Sequence, residues 1–325
     1  MNYFYWIWAE ARGIRRARYE RKTQISSVKN IKKYAGKKVL NSKQANKMIY
    51  DAIVEKKPFF AGRLGGSEMK LIAYTYRNRY FPFRTDARAD YLRHLCQLSG
   101  FFPNEMSMGE KFVELMTEAV SEIDLNGIWS LYMEEWYLHS YAPKSELTFL
   151  HNLEPWNVDT NNSEDVRWTY ALKGKRVLVI HPFEESIINQ FNKRKELFKN
   201  LDEKLLPDFE LLTIKAVQSL GENDNGYNNW FEAYEYMLEQ CKSMDFDVAI
   251  IGCGAYGFPL GAEIKKMGKC AIHLGGVAQL LFGIRGKRWD SYGGVYESMI
   301  NDSWIRPSGE EITDIVKSVE DGCYC

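Results

Sequence analysis

The sequence predicts an α/β fold: a Rossmann-like, mostly parallel sheet with helices on both faces. Three observations predict it. Val248-Ala249-Ile250-Ile251 and Arg176-Val177-Leu178-Val179-Ile180 are short apolar runs, the pattern of strands buried on both faces. Each runs into a turn of glycine, or of histidine and proline, and then into residues at helical spacing. Strand, turn, helix and strand in that order, as from Val248 to Leu274, is the unit that builds parallel sheets.

The elements follow in chain order. Tyr3, Phe4, Trp6, Ile7 and Trp8 precede Arg12, Arg15, Arg16, Arg18, Arg21 and Lys22. Rings joined to cations suit a helix lying at the surface of an anionic membrane, with the rings at headgroup level. A helix packed on the domain by its aromatic face explains the same residues. Residues 1–40 are expected to be an amphipathic, basic, helical extension, with Lys29 to Lys38 as loop. Residues 41–325 are expected to be one α/β domain with a helical insertion around 80–126.

Ser42 to Val54 has Ala45, Met48, Ile49 and Ile53 on one side and reads as a helix. Pro58 to Arg63 reads as a strand running through Leu64-Gly65-Gly66-Ser67-Glu68 into a helix from about Met69 to Tyr76. Ser67 is expected to cap that helix, and Glu68 suits its first turn. Arg63, at the strand end, is placed to meet a phosphate or carboxylate. Ser107 and Glu110 have the spacing of a capping box, before a stripe of Phe112, Leu115, Met116, Ala119, Val120 and Ile123. His94 sits in a mixed segment and reads as structural. Ile128 to Met133 is expected to be a strand, and the polar stretch Asn152 to Asp165 a hinge or lid.

From Lys175 the pattern sharpens. The strand Arg176 to Ile180 ends at His181-Pro182-Phe183, with Glu184, Glu185 and Ser186 opening a helix. Phe209 to Ile214 reads as a strand, Ser219 to Asn225 as loop, and Trp230 to Cys241 as helix. After Val248 to Ile251 comes Gly252-Cys253-Gly254-Ala255-Tyr256-Gly257, then a helix with Pro259 in its first turn and Gly268 at its end. Cys270 to Leu274 is the next strand, Val277 to Phe282 a short helix, and Arg285, Lys287, Arg288 and Trp289 a basic loop. Trp289 suits either stacking on a ligand or anchoring its loop. Ile312 to Val319 reads as a short terminal helix.

Bulk composition narrows the partners. The chain has 43 Lys+Arg against 43 Asp+Glu, so no global field draws in nucleic acid. Its 6 cysteines form no C-x-x-C pair, which argues against a zinc site or disulfide framework and for the cytoplasm. No apolar run reaches the length of a spanning helix. Glu10 and Arg12 interrupt what would be a signal-peptide core. The expected location is therefore cytoplasmic, with peripheral contact at the inner face of the membrane through the N-terminal segment.

Ligands of open parallel sheets bind beyond the carboxyl ends of the strands. Gly62-Arg63, His181-Pro182, Gly252 to Gly254 and His273 to Gly275 stand at such ends. Glycine turns, helix starts and cations at one edge suit a diphosphate. The spacing of Gly252, Gly254 and Gly257 is formally that of a dinucleotide fingerprint, which would make the chain an NAD(P)-dependent oxidoreductase. The following strand ends in His273 rather than the ribose-binding acid of that class, which argues against it. A turn with no ligand is the plainer alternative.

These residues resemble the bacterial glycosyltransferases of the GT-D fold. The resemblance lies in Arg63-Leu64-Gly65-Gly66-Ser67-Glu68 against a family pattern of roughly R-F-G-D-G-E, in the strand Lys175 to Ile180, and in Val248 to Gly257 with Ala271 to Gly276. It implies a Rossmann-like domain that takes a nucleoside-diphosphate sugar and passes the sugar to a glycan or lipid-linked acceptor in surface polysaccharide synthesis. It also implies a divalent ion, Mn2+ or Mg2+, held by an Asp-x-Glu motif. Gly66 stands where that Asp would be, leaving Glu68 as the metal candidate and allowing Arg63 and the Arg285–Arg288 loop to supply positive charge instead. Glu68 is then the expected catalytic base, with His181 as second candidate and Arg288 stabilising the departing diphosphate. Arg63, Gly65, Gly66, Ser67, Gly252, Gly254, Ala255, Tyr256, His273, Gly275, Gly276, Arg285 and Lys287 are the expected binding residues. His273 equally suits a structural strand end. The missing Asp also fits a nucleotide-sugar binder without catalysis.

Overall fold

Nine strands form one sheet in the order β1-β2-β5-β4-β3-β9-β8-β6-β7 in the computed structural model of the chain. Their ranges are β1 Lys33–Tyr34, β2 Lys37–Leu40, β3 Phe59–Gly62, β4 Leu125–Ile128, β5 Glu146–Phe149, β6 Arg176–His181, β7 Glu210–Lys215, β8 Val248–Ile251 and β9 Cys270–His273. The structure describes residues 3–23, 31–160, 162, 165–219, 225–307, 309 and 311–312. All pairings are parallel except β1 with β2. Helices are α1 Tyr3–Thr23, α2 Ser42–Val54, α3 Gly66–Tyr80, α4 Arg88–Ser99, α5 Met106–Ser121 and α6 Glu134–Tyr141. They continue with α7 Glu184–Phe191, α8 Arg194–Leu197, α9 Trp230–Ser243, α10 Gly257–Lys266, α11 Lys287–Asp290 and α12 Val295–Met299.

Parallel strands carry helices on both faces, so their side chains are buried on both sides. Leu178, Ile180, Ala249, Ile251 and Ala271 enter one apolar core with helices α3, α5, α9 and α10. Their strand neighbours Val177, Val179, Val248, Ile250 and Ile272 enter the other, with α2 and α7. The alternation of β6 and β8 thus feeds two cores from runs that look uniformly apolar in sequence. This is the Rossmann-like, mostly parallel arrangement expected.

Local chemistry explains where several helices begin. Asn41 caps α2 by accepting from the Gln44 amide, and Gln44 returns the bond to Asn41, a reciprocal box. Asn229 caps α9 by accepting from the Glu232 amide. Two expected caps are absent. Helix α3 begins at Gly66 with Gly65 at its cap, so Ser67 lies inside the first turn and bonds Ser99 and Glu68 instead. Helix α5 begins at Met106, with Glu105 at its cap, so Ser107 and Glu110 make no capping box.

Other expectations change with tertiary contacts. Residues 33–40, within the stretch read as extension and loop, form a hairpin whose second strand pairs with β5 at the sheet edge. Lys37 explains the stability of that edge, since its ammonium donates to the Ala142 and Ser145 carbonyls. The strand expected at Ile128–Met133 lies earlier, at Leu125–Ile128, and Ser130 and Met133 adopt positive φ. The first part of the stretch read as a hinge or lid is packed: Leu153, Trp156 and Val158 are buried, and Glu154 accepts from Trp156, Asn157 and Tyr296. The expected loop at Ser219–Asn225 lies outside the described residues at 220–224, as does the terminal helix from 313 onward.

Helix α1 is held by one face. Trp6 is fully buried against Trp136, Tyr80 and Phe81. Arg12 and Arg16 both pair with Glu135 at the start of α6. Burial of a tryptophan of this kind is worth about 3–5 kcal/mol against alanine.

Candidate functional site

Strand register assembles the site. Gly62 of β3 stands beside His273 of β9, His273 beside Ile251 of β8, and Ile251 beside Ile180 of β6. Because these strands are parallel and aligned, the residues that follow them reach one rim together. A cavity of about 320 Å³ opens there.

The cavity collects most of the expected residues. Arg63, Gly65, Gly66, Ser67 and Glu68 line it from the β3–α3 junction. His181 lines it after β6, Gly252, Gly254 and Tyr256 after β8, and His273, Gly275 and Gly276 after β9, with Arg288 from α11. Arg63, Gly254 and Arg288, widely separated in the chain, thus face one space.

Three expected residues do not line it. Ala255 is buried in the turn. Arg285 turns away because Asp290 accepts its guanidinium at 3.0–3.1 Å. Lys287 is exposed outside the cavity lining. The basic loop therefore delivers Arg288 alone, and Trp289 is buried as the loop's anchor.

Close packing places the charged groups. Gly65 has no side chain, and the Glu68 carboxylate fills the space its Cβ would take. Glu68 is only 7% exposed, and its Oε2 accepts from Ser67 Oγ at 3.1 Å. Gly275 adopts φ +65, and the Arg63 guanidinium fills the space of its missing Cβ. Arg63 also lies over the Trp129 ring, 5.6 Å from its centroid, and has no carboxylate partner among the described residues. Gly254 needs its glycine for φ +57, and a Cβ there would meet the Ser99 carbonyl at 3.0 Å.

The two histidines are neutral. Burial pushes His181 down to about 3, and its Nδ1 accepts from the Phe183 amide at 3.0 Å, leaving the proton on Nε2. A group so weakly basic is unsuited to the proton-accepting role expected of it; it can donate instead. Burial, with the Arg63 charge, likewise pushes His273 to about 3. The His273 ring fills the space of a Cβ on Gly257, and its Nδ1 is buried with no partner among the described residues. The third glycine of the fingerprint spacing is therefore explained by packing on a histidine.

Several lining residues were not assigned to the site from sequence, and His94, read as structural, is one of them. His94, Leu98, Ser99 and Gly100 come from α4 and its end, Trp129 from the end of β4, and Val217, Gln218 and Ser219 from beyond β7. Ser67 Oγ and Ser99 Oγ, 2.6 Å apart, join α3 to α4. Ser219 bonds both the Gly100 carbonyl and the Tyr256 hydroxyl. Tyr256 is in turn stacked on Trp230, at 4.7 Å and 2°. No spacing rule links these positions. Lys70, exposed at the mouth, was visible only as the next lysine along α3.

The divalent ion of the family pattern does not fit the described residues. Glu68 is the one acid among the described residues lining the cavity, and no cluster of three potential ligands exists among them. A hard cation needs several oxygens, and Glu68 already accepts from Ser67. Positive charge at the rim comes instead from Arg63, Lys70 and Arg288.

Fold and cavity together define a Rossmann-like α/β protein with a cationic cavity at the carboxyl ends of its strands. No family model matches the chain, and no curated protein does. Two solved structures of a domain of unknown function 1792 align with 85% of this chain and 93% of their own. One, described as having a distinct glycosyltransferase fold, is 12% identical with a TM-score of 0.43. The other, a selenomethionine-substituted structure, is 13% identical with a TM-score of 0.43.

Proposed function

We propose that the chain is a glycosyltransferase that moves a sugar from a nucleoside-diphosphate sugar to a hydroxyl of a glycan or lipid-linked acceptor. The observation that carries the proposal is the cavity's charge arrangement. Arg63, Lys70 and Arg288 surround a space that holds one buried carboxylate, Glu68. Cations preset around a leaving diphosphate and one carboxylate able to take the proton of the attacking hydroxyl supply the groups that a direct displacement needs.

The diphosphate would lie between Arg63, Arg288 and the first amides of α3, which have no intrahelical acceptor. The acceptor oxygen attacks the anomeric carbon. The bond from that carbon to the β-phosphate oxygen breaks, and its electron pair leaves on the diphosphate. The hydroxyl proton passes to Glu68. His181 Nε2–H donates to a phosphate or sugar oxygen. A preset donor at such a developing charge contributes about 10²–10³-fold in rate.

A second reading, a nucleotide-sugar binder without catalysis, is favoured by Gly66 standing where the family carries Asp. One experiment separates the two. The purified chain is offered a panel of nucleotide sugars with EDTA or with manganese, and binding is followed by thermal shift while transfer or hydrolysis is followed by mass spectrometry. Binding with turnover supports the transferase; binding alone supports the second reading. Glu68→Gln and Arg288→Ala that both leave turnover intact would overturn the assignment of residues.

A further inference from the structure

Helix α1 presents a second surface that the cavity does not use. Its inner side is committed: Trp6 is buried, Arg12 and Arg16 pair with Glu135, and Glu10 accepts from Arg84 and Tyr132. A period of 3.6 residues places Phe4, Trp8, Ala11, Arg15, Arg18 and Lys22 in one stripe on the opposite side. Every one of them is exposed. The stripe is divided along its length. Its first half is apolar, with Phe4 82% and Trp8 47% exposed and Ile7 beside them. Its second half is basic, and among the described residues Arg15, Arg18 and Lys22 have no acidic partner. The helix's two acids, Glu10 and Glu20, lie off the stripe. Phe83, 82% exposed, edges onto Phe81, which Tyr3 also touches, and so adds a ring from a second element to the apolar end.

We propose that this face docks on an anionic lipid membrane, with α1 lying in the plane of the interface. The charge pattern selects this occupant. Exposed rings enter the boundary between headgroups and acyl chains, while adjacent cations of one sign meet lipid phosphates. Among the described residues no helix is long and apolar enough to cross a membrane. The docking helix also reaches the cavity wall. Arg16 donates to Ser130 Oγ at 2.9 Å, and Ser130 follows Trp129, which lines the cavity. The loop under α1 thus adjoins the wall of the site. This inference stands on α1 and Phe83 and does not require the transferase reading.

The test is co-sedimentation of the full chain with vesicles of phosphatidylcholine, with and without phosphatidylglycerol. Wild type is expected to pellet with the anionic vesicles and to be released by salt. The exposed substitutions Arg15→Glu, Arg18→Glu and Lys22→Glu together should weaken binding by at least about 100-fold. Phe4→Ser with Trp8→Ser should also weaken it, at an unchanged melting point. Lys111→Glu, Lys199→Glu and Lys204→Glu, an equal charge change elsewhere, should leave binding intact. Binding that ignores lipid charge, or that survives both sets of α1 substitutions, overturns the proposal. So does self-association through this face, seen as a dimer in sedimentation velocity that the α1 substitutions dissolve while vesicle binding is absent.

Discussion

The Arg63 guanidinium occupies the volume that a side chain on Gly275 would need. These residues end β3 and follow β9, two strands paired in register at Gly62 and His273. Gly275→Ala therefore strains a backbone at φ +65 and displaces the Arg63 guanidinium, which has no carboxylate partner among the described residues. The substitution should cost about 1–2 kcal/mol of stability. Nucleoside-diphosphate affinity, measured by calorimetry, should fall at least about 10-fold, as for Arg63→Ala. Affinity unchanged in both variants would remove Arg63 from the diphosphate site.

Glu68 is the carboxylate that faces the cavity. Glu68→Gln keeps the shape against Gly65 and removes the proton acceptor. Donor affinity should hold within a few-fold while turnover drops by about 10²–10⁴-fold. Steady-state kinetics with a fixed acceptor distinguishes the two quantities. Equal loss of both would mark Glu68 as a binding residue.

Gly66 can accept a side chain. The nearest atoms to a Cβ there, on Leu131 and Trp129, lie at 3.7 Å, an ordinary contact, and the position opens α3, where a carboxylate is favourable. Gly66→Asp should fold at least as stably as wild type. It should also make diphosphate binding respond to manganese, because two carboxylates then flank the rim. A thermal-shift titration with and without manganese reads this directly; no difference from wild type would show that the pair cannot share an ion.

Glu134 is a pH-dependent weak point away from the site. It is fully buried on α6, beside Tyr34 and Glu135, with Arg16 close by. Burial raises its carboxyl from 4.5 to about 7, outweighing the bonds from Leu131 and Tyr34. The folded state then holds this proton longer than the unfolded chain. Its contribution to stability is present below about 4.5 and lost as pH rises to about 7. His181 and His273 act oppositely: held near 3 when folded, they add stability above 6.5 that is lost on acidification. The comparison must therefore be with Glu134→Gln. Relative to wild type, that variant should gain roughly 2–4 kcal/mol between pH 4.5 and pH 7 in denaturant titrations. A flat difference would mean that Glu134 is ionised throughout.

Elements carried by local chemistry were legible in order. The apolar run Val248–Ile251 is β8 at the expected residues, and Ser42–Val54 is α2. Both follow from periodicity and turn residues that need no distant partner. The caps at Ser67 and Ser107 were not legible, because Gly65 and Glu105 start those helices under the demands of packing. The short strands β1, β2 and β5 were missed or read as loop, since strands of two to four residues carry too little local pattern and draw their stability from their pairing neighbours. Arg285 was placed at the site on composition, and Asp290 redirects it.

By itself, the sequence determined a parallel α/β protein whose strands end in glycine, histidine and arginine, because strand length, turn chemistry and helix period are local properties. It also determined which cations were available, but not which would line the cavity. Only the tertiary structure decided that Arg63, Glu68 and Arg288 share a cavity while Arg285 does not, and that Trp6 turns inward while Trp8 faces out. Those outcomes depend on strand register and on competition between partners far apart in the chain, and neither is encoded in any single stretch of residues.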